Sequence, residues 1–218
     1  DSVAVKLRQS VQAKCWSEAE GIYLDVPGEP EGKSQHAQIL AILTDAVPVQ
    51  PRELVDKLLK ADNKMAQATL YYKFYLFRAL AKLDLYHRAY PILDYWREMI
   101  KTGFTTWPEI PGETRSDCHA WSAWPVFDFI TEIVGIKPAG AGMSKLIIQP
   151  TPCGLSFARG KIPFKCGPEF IEAGWKIVNG RFNITGILPA GTSADVIMPD
   201  KTVKTNVTGE FEFECKAL

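Results

Sequence analysis

Apolar residues recur every three or four positions from Ser2 to about Val134. An α-helix takes 3.6 residues per turn, so this spacing is typical of amphipathic helices with one face toward a core. The pattern predicts six helices in this part of the chain. Their apolar markers are, in order, Val3, Leu7 and Val11; Ala37, Leu40 and Leu43; Leu54, Val55, Leu58 and Leu59; Leu70, Phe74, Phe77 and Ala81; Tyr90, Leu93, Trp96 and Ile100; Val126, Phe129, Ile130 and Ile133.

Start and stop signals bracket several of these helices. Ser34 is the predicted N-cap of the second helix, and Pro51 lies in the first turn of the third. The fourth helix is expected from about Met65 to Leu83, with its crowded aromatic side chains packed as core. The fifth is expected to end at Gly103, because a residue without a side chain suits a left-handed C-cap.

After Gly135 the apolar period changes to two, and Gly and Pro become frequent. Such alternation is typical of strands with one buried face. The sequence Asn179-Gly180 joins two alternating runs and predicts a hairpin with a type I′ turn. About eight short strands are expected, at 146–148, 155–158, 162–164, 171–177, 182–188, 196–198, 203–207 and 211–215, with a turn near Gly209 and with the aromatic residues consumed by the core.

These patterns predict an α+β, multidomain chain. Residues 1–137 form a helical domain, residues 138–143 form a linker, and residues 144–218 form an antiparallel β-sandwich. The length of 218 residues and the apolar content of 46% suffice for a substantial core in each part.

Charge and cysteine content exclude several functions. Lys plus Arg and Asp plus Glu number 25 each, so no net field draws the chain to nucleic acid or to an anionic membrane. No run approaches the roughly 18 apolar residues of a membrane span. The five cysteines contain no CxxC pair, and the three isolated histidines give no metal-binding spacing, so neither a metal nor a cofactor is expected.

The connection between Thr105 and Trp124 concentrates the candidate chemistry. It holds tryptophans, carboxylates, an arginine and a histidine within one loop interrupted by Pro and Gly: Trp107, Glu109, Glu113, Arg115, Asp117, His119, Trp121 and Trp124. Saccharides are bound by flat apolar surfaces and by forked donors and acceptors, and carboxylates cleave the glycosidic bond. The loop therefore predicts a sugar site, although Trp124 precedes Pro125 at a helix start and is expected in the core.

Several segments in this order resemble the C-terminal part of bacterial α-L-rhamnosidases. They are the aromatic fourth helix, the approach from Trp96 to Gly103, the paired threonines followed by an acidic residue, the run from Ser116 to Trp121, Gly135-Ile-Lys-Pro and the strand from Leu146 to Pro150. The resemblance covers nearly the whole chain. It implies an inverting glycoside hydrolase whose catalytic domain is a toroid of six α-helical hairpins followed by a β-sandwich, with this chain holding the last three hairpins.

The resemblance also implies roles for the loop residues. Glu109 corresponds to the general base, although Pro108 intervenes where family members often place the glutamate directly after the aromatic residue, so Glu113 stays as the alternative. The partner general acid is expected in chain upstream of Asp1, and the fragment alone is therefore expected not to hydrolyse rhamnosides.

Rhamnose contacts are implied for His119 through ring hydroxyls, and Trp107 and Trp121 are candidates for an apolar wall. Arg115 and Asp117 bond hydroxyls or orient a carboxylate. Structural roles without a ligand also stay open for these residues. In that interpretation His119 bonds to a backbone carbonyl, and Arg115 pairs with Asp117 at the surface.

Two other functions fit the same residues. One is a different toroid glycosidase or a lyase, because the helical-hairpin fold hosts several chemistries. The other is a non-catalytic carbohydrate-binding or structural module, with the sandwich as the binding part. The expected partner in the leading interpretation is a rhamnose-containing oligosaccharide or glycoside.

Overall fold

A computed structural model describes residues 2–46, 51–112, 115–165 and 167–217. The chain divides into two compact units, Asp1–Ser122 and Ala123–Leu218. The last predicted helix belongs to the second of these units, whereas the predicted domain boundary lies at residues 137–144. Helices and sheets are both present, so the α+β class is confirmed.

The first unit is mostly helical in its described residues. It contains α1 (Ser2–Cys15), β1 (Trp16–Ser17), β2 (Ile22–Tyr23), α2 (Gln35–Leu43), α3 (Pro51–Leu59), α4 (Lys73–Lys82) and α5 (Asp94–Lys101), with 3₁₀ turns at Tyr86–Arg88, Tyr90–Leu93 and Ala120–Ser122. The strands β1 and β2 pair antiparallel. Five of the six predicted helices lie here. Their apolar positions do not all mark a buried face, because α1 buries none of its residues and both Leu40 of α2 and Ile100 of α5 are exposed.

The fourth helix is shorter than predicted. It begins at Lys73 rather than near Met65, because the preceding backbone is paired with the start of α2. Ala66 donates to the Lys33 carbonyl at 2.9 Å and accepts from the Gln35 amide at 3.0 Å. A segment whose backbone groups are bonded outward in this way is not available for helical i to i−4 bonding.

Both predicted caps are present. The Ser34 hydroxyl oxygen accepts a hydrogen bond from the Ala37 amide at 3.3 Å, which caps α2. Beyond α5, Gly103 has φ +94° and donates to the Ile100 carbonyl, while the Phe104 amide donates to that of Met99, each at 3.1 Å. This pair of bonds is the Schellman motif.

Gln38 fixes the short sheet against α2. Its side-chain oxygen accepts from the Tyr23 amide at 2.8 Å, and its side-chain nitrogen donates to the Tyr23 carbonyl at 2.7 Å. The Tyr23 hydroxyl donates to the Ala46 carbonyl at 2.5 Å. Both side chains are buried, so these bonds satisfy polar groups that water does not reach.

The second unit begins with α6 (Pro125–Asp128), which continues as a π-helical turn over Phe129–Val134. Its strands are β3 (Ile136–Pro138), β4 (Lys145–Ile148), β5 (Phe157–Pro163), β6 (Phe170–Val178), β7 (Arg181–Leu188), β8 (Ser193–Ile197), β9 (Val203–Val207) and β10 (Gly209–Lys216), with a 3₁₀ turn at Ala141–Met143. Two strands predicted near residues 155–164 form the single strand β5, and β3 was not predicted.

The eight strands form two four-stranded sheets, ordered β10-β7-β6-β5 and β3-β4-β8-β9. The first sheet is antiparallel throughout. In the second sheet β4 and β8 pair parallel, so the expectation of a purely antiparallel arrangement is wrong at this pair. The parallel pairing is possible because the long excursion through β5, β6 and β7 returns the chain in the same direction.

The predicted hairpin between β6 and β7 is confirmed. Val178 pairs with Arg181, and both turn residues have positive φ, 49° at Asn179 and 73° at Gly180. This is the type I′ geometry, which matches the twist of the flanking strands. The turn near Gly209 does not close a hairpin. The strands on either side of it lie in different sheets, because β9 pairs with β8 while β10 pairs with β7.

Phe164, Trp175, Phe182 and Phe211 are buried as expected, whereas Phe157 and Phe170 are exposed. Phe157 has the larger exposure, 67%. It lies on the outward face of β5, because it alternates with the partly buried Ala158 rather than sharing its side of the strand. The Trp175 indole donates to the Ile133 carbonyl at 2.8 Å and so ties the helical segment to the sheet.

Gly135 is where the π-helical turn meets the strands. It has φ +94°, and a Cβ added there would lie 2.4 Å from the carbonyl carbon of Gln149. Its carbonyl accepts from the Gln149 amide at 2.9 Å. A glycine is therefore required both by the dihedral angle and by the close approach of two backbones.

Replacing Tyr23 by Phe is expected to lower the free energy of unfolding by about 1–2 kcal/mol at pH 7, because the buried Ala46 carbonyl loses its donor. Burial raises the pKa of Tyr23 from 10.0 to about 12. The unfolded hydroxyl thus ionises first, and the stabilisation present below pH 10 is lost as the pH rises toward 12. Urea unfolding of the wild-type and Tyr23→Phe proteins at successive pH values should show that the difference between their free energies of unfolding becomes smaller above pH 10. A constant difference would contradict this linkage.

Replacing Gly135 by Ala is expected to cost about 3 kcal/mol or more, since left-handed strain and collision with the Gln149 backbone act together. Gly191→Ala is the matched control, because Gly191 has φ +83° and open space within 4 Å. We expect it to cost only about 1 kcal/mol. Urea unfolding followed by circular dichroism measures both, and equal costs would show that the collision is relieved without penalty.

Candidate functional site

The loop after α5 folds back on itself through three hydrogen bonds. The Glu109 amide donates to the Ser116 carbonyl at 2.9 Å, and the His119 amide donates to the Trp107 carbonyl at 2.5 Å. The Thr106 hydroxyl donates to the Asp117 carbonyl. These bonds place the segment 106–109 beside the segment 116–119. They bring Trp107, Glu109 and His119 together, although the last two are ten positions apart in the sequence.

Ser122 anchors the returning end of this loop. Its hydroxyl lies 2.7 Å from the Pro108 carbonyl and 3.0 Å from the His119 carbonyl. Its own carbonyl accepts from the Trp96 indole of α5 at 2.8 Å. Ser122, Trp96 and Pro108 are all buried, so the loop is fixed to the helix by polar contacts shielded from water.

Glu109 keeps a side chain that solvent can reach. Its carboxylate is 29% exposed and accepts a hydrogen bond from the Arg115 guanidinium at 3.0 Å. Arg115 is 85% exposed, so this ion pair orients the carboxylate more than it stabilises the fold. Arg115 therefore pairs with Glu109 and not with Asp117 as the surface interpretation supposed. Glu113, the alternative base, lies outside the described residues.

The remaining predicted residues differ in exposure. Trp121 is 59% exposed and Trp107 is 37% exposed, so both present ring surface to a ligand. The His119 ring lies 4.8 Å from that of Trp121 between centroids. Its Nε2 atom is buried and lacks a hydrogen-bond partner in the described part of the chain. Asp117 is exposed. Trp124 is buried, as expected.

The structure adds a residue that the sequence did not single out. The Tyr71 ring, just before α4, lies 4.8 Å from that of Trp121 and is 40% exposed. A hydrogen bond with the Tyr75 hydroxyl raises the pKa of Tyr71 above its ordinary value. The aromatic residues of the fourth predicted helix were expected in the core. Tyr71 is exposed instead, because it precedes the shortened α4.

The arrangement combines a carboxylate, a guanidinium and two exposed indole faces within one loop. Such a set bonds hydroxyl groups in one plane and covers the C–H face of a sugar ring. The described residues contain no group of three or more His, Cys, Asp or Glu side chains that could hold a metal ion. In the same part of the chain, the helices are too short or too polar to cross a bilayer.

One segment of the chain matches a protein family model. Residues 135–211, in the second unit, match the family model described as the bacterial alpha-L-rhamnosidase C-terminal domain. Comparison with curated protein sequences gave no match.

Solved structures extend the likeness to both units. The GH78 family rhamnosidase of Bacillus sp. GL1 is 23% identical, with a TM-score of 0.76 over 89% of this chain and 22% of that one. The α-L-rhamnosidase of Streptomyces avermitilis, solved with L-rhamnose, is 21% identical, with a TM-score of 0.78 over 97% and 24%. That of Aspergillus terreus is 19% identical, with a TM-score of 0.78 over 96% and 26%.

The resemblance predicted from the sequence is therefore confirmed: the chain is similar to the C-terminal part of α-L-rhamnosidases. At these identities the structural likeness establishes the fold. The chain spans about a quarter of the length of the solved structures that it matches.

Replacing Ser122 by Ala is expected to lower the free energy of unfolding of the first unit by about 1–3 kcal/mol, because the buried Pro108 carbonyl loses its donor. The matched control is Thr106→Ala, which removes a similar bond to a carbonyl at an exposed position and should change stability by about 0.5 kcal/mol or less. Urea unfolding measures the costs, and limited proteolysis reports loosening of the loop. Equal costs for the two variants would mean that Ser122 does not anchor it.

Proposed function

We propose that this chain is the C-terminal part of an α-L-rhamnosidase that hydrolyses terminal α-L-rhamnose with inversion. The observation that carries the proposal is the likeness of both units to one class of solved enzymes over 89–97% of the chain. The match of residues 135–211 to the rhamnosidase C-terminal family model supports it independently.

The same likeness supports the proposed architecture. The helices of the first unit, with the helical segment that opens the second, are the last three hairpins of an α/α toroid. The two sheets form the β-sandwich that follows it. In this arrangement residues 1–137 belong to the toroid and residues 144–218 to the sandwich, with the loop of residues 105–122 at the toroid mouth.

Glu109 is the proposed general base. An inverting hydrolase holds its two carboxyl groups roughly 6.5–9.5 Å apart, so that a water molecule fits between the base and the sugar. The base accepts a proton from that water while the water oxygen attacks the anomeric carbon. Partial exposure of the Glu109 carboxylate and its contact with Arg115 support this role, since water reaches the group and its orientation is fixed.

The neighbouring side chains are the proposed rhamnose contacts. Trp107 and Trp121 cover apolar faces of the sugar, while Asp117 and Arg115 bond its hydroxyls. His119 is proposed as a further contact, with its buried Nε2 atom, which lacks a hydrogen-bond partner among the described residues, as the group that meets a hydroxyl.

The general acid is proposed to come from another part of a longer chain. A loop on one wall of a toroid supplies one carboxylate, and the partner protonates the glycosidic oxygen from the other side of the bond. We therefore expect the 218-residue chain by itself to lack hydrolytic activity.

In the full-length protein, replacing Glu109 by Gln is expected to lower kcat for an aryl α-L-rhamnoside by about 10²- to 10⁴-fold, because the amide does not accept the proton of the attacking water. KM should change little, since the amide keeps the size and one acceptor oxygen of the carboxylate. Steady-state kinetics measures both parameters.

Glu113→Gln is the matched control in that experiment. If Glu109 is the base, the control keeps near-wild-type turnover. If the losses are reversed between the two variants, Glu113 is the base and Glu109 leaves the mechanism. Polarimetry or proton NMR of the first-formed sugar tests inversion. Retention of configuration would rule out a general base and a general acid held roughly 6.5–9.5 Å apart with water between the base and the sugar.

A further inference from the structure

The candidate site continues beyond its loop in a row of five touching rings, which we call the aromatic band. Successive ring centroids are separated by 4.8, 4.8, 6.5 and 4.1 Å. The band consists, in order, of His119, Trp121, Tyr71, Tyr72 and His36.

Three separate segments contribute to the band. His119 and Trp121 belong to the loop, Tyr71 and Tyr72 directly precede α4, and His36 is the second residue of α2. The amino-terminal ends of two helices therefore meet the loop at one side of the first unit. The bridge between Ser34 and Ala66 holds the start of α2 beside the segment that leads into α4, so the backbone brings these two segments of the band together.

Core packing does not account for the band. Phe77, on α4, has no exposed surface, whereas Tyr71 is 40% and Trp121 is 59% exposed. Burying an aromatic side chain is among the larger favourable contributions that a residue makes. Two large rings in contact with each other and open to solvent are the arrangement expected of a binding surface.

The rim of the band carries hydroxyl groups. The Tyr71 hydroxyl lies 3.5 Å from that of Tyr75, whose ring is 5.0 Å from that of Tyr72. The surface thus offers flat apolar area beside neutral donors and acceptors. It carries no carboxylate or ammonium of its own, so it suits an uncharged, flat ligand.

We infer that the aromatic band binds the group attached to rhamnose, through the flat apolar face of that group. This inference rests on the proposed function, in which His119 and Trp121 contact the rhamnose ring. The band runs on from those two residues for three further rings, which is more surface than one monosaccharide covers. Tyr71 and Tyr72 therefore lie where the leaving group is expected, and Tyr71 is the main determinant of its selection.

The test compares the binding of three ligands to the full-length protein by calorimetry: phenyl, methyl and glucosyl α-L-rhamnosides. The catalytically impaired Glu109→Gln variant prevents turnover during the titration. We expect the phenyl glycoside to bind about tenfold more tightly than the methyl glycoside, as one stacked ring contributes. Tyr71→Ala should remove most of that preference while leaving methyl glycoside affinity unchanged, and Tyr71→Phe should retain it.

Phe157→Ala is the matched control, because Phe157 is an equally large exposed ring in the other unit and should have no effect. If the glucosyl glycoside binds more tightly than the methyl glycoside and this preference depends on Tyr71, the band binds the face of a sugar. If the phenyl glycoside shows that preference over the methyl glycoside, the band binds an aromatic aglycone. Circular dichroism confirms that each variant is folded, and Tyr71→Leu serves in place of Tyr71→Ala if the latter unfolds.

Two outcomes overturn the inference. One is an unchanged preference in Tyr71→Ala and Tyr71→Leu, and the other is an equal loss for all three ligands, which would place Tyr71 against the rhamnose ring itself. Neither outcome affects the proposed function, which is rejected separately if Glu109→Gln and Glu113→Gln both retain turnover or if the full-length protein hydrolyses no rhamnoside.

Discussion

The hydrogen bonds of Ser122 are the constraint on which the candidate site depends. Its carbonyl accepts from the Trp96 indole, and its hydroxyl lies within bonding distance of the Pro108 and His119 carbonyls. One buried serine thus joins α5 to both arms of the loop. Because these contacts are shielded from water, they hold a segment that carries almost no apolar core of its own.

Fixing the two arms leaves the side chains between them free to face solvent. The carboxylate of Glu109 and the ring of Trp121 both remain accessible, although the backbone beside them is bonded. A bonded backbone with accessible side chains is common at functional loops, where a rigid scaffold positions residues that do not contribute to packing. Arg115 likewise contacts Glu109 from an exposed position, because its guanidinium orients the carboxylate and does not fill a core.

The helical half of the chain was predictable because each helix is encoded locally. Ser34 and Gly103 act as caps through bonds to residues within five positions, so their roles follow from residue type and order. The start of α4 was not, because Ala66 bonds to Lys33 and Gln35, about thirty positions away. The parallel pairing of β4 with β8 has the same character, since strand direction depends on everything between them.

The sequence by itself determined the class of the fold, the type I′ hairpin and the segment that holds the candidate chemistry, because turn residues, apolar period and residue density are local properties. The tertiary structure decided which side chains meet. It paired Arg115 with Glu109, exposed Phe157 and joined Tyr71 to Trp121 across fifty positions of sequence. The contacts of Arg115 and Tyr71 depend on where α4 begins and how the loop folds back, and no local pattern encodes either.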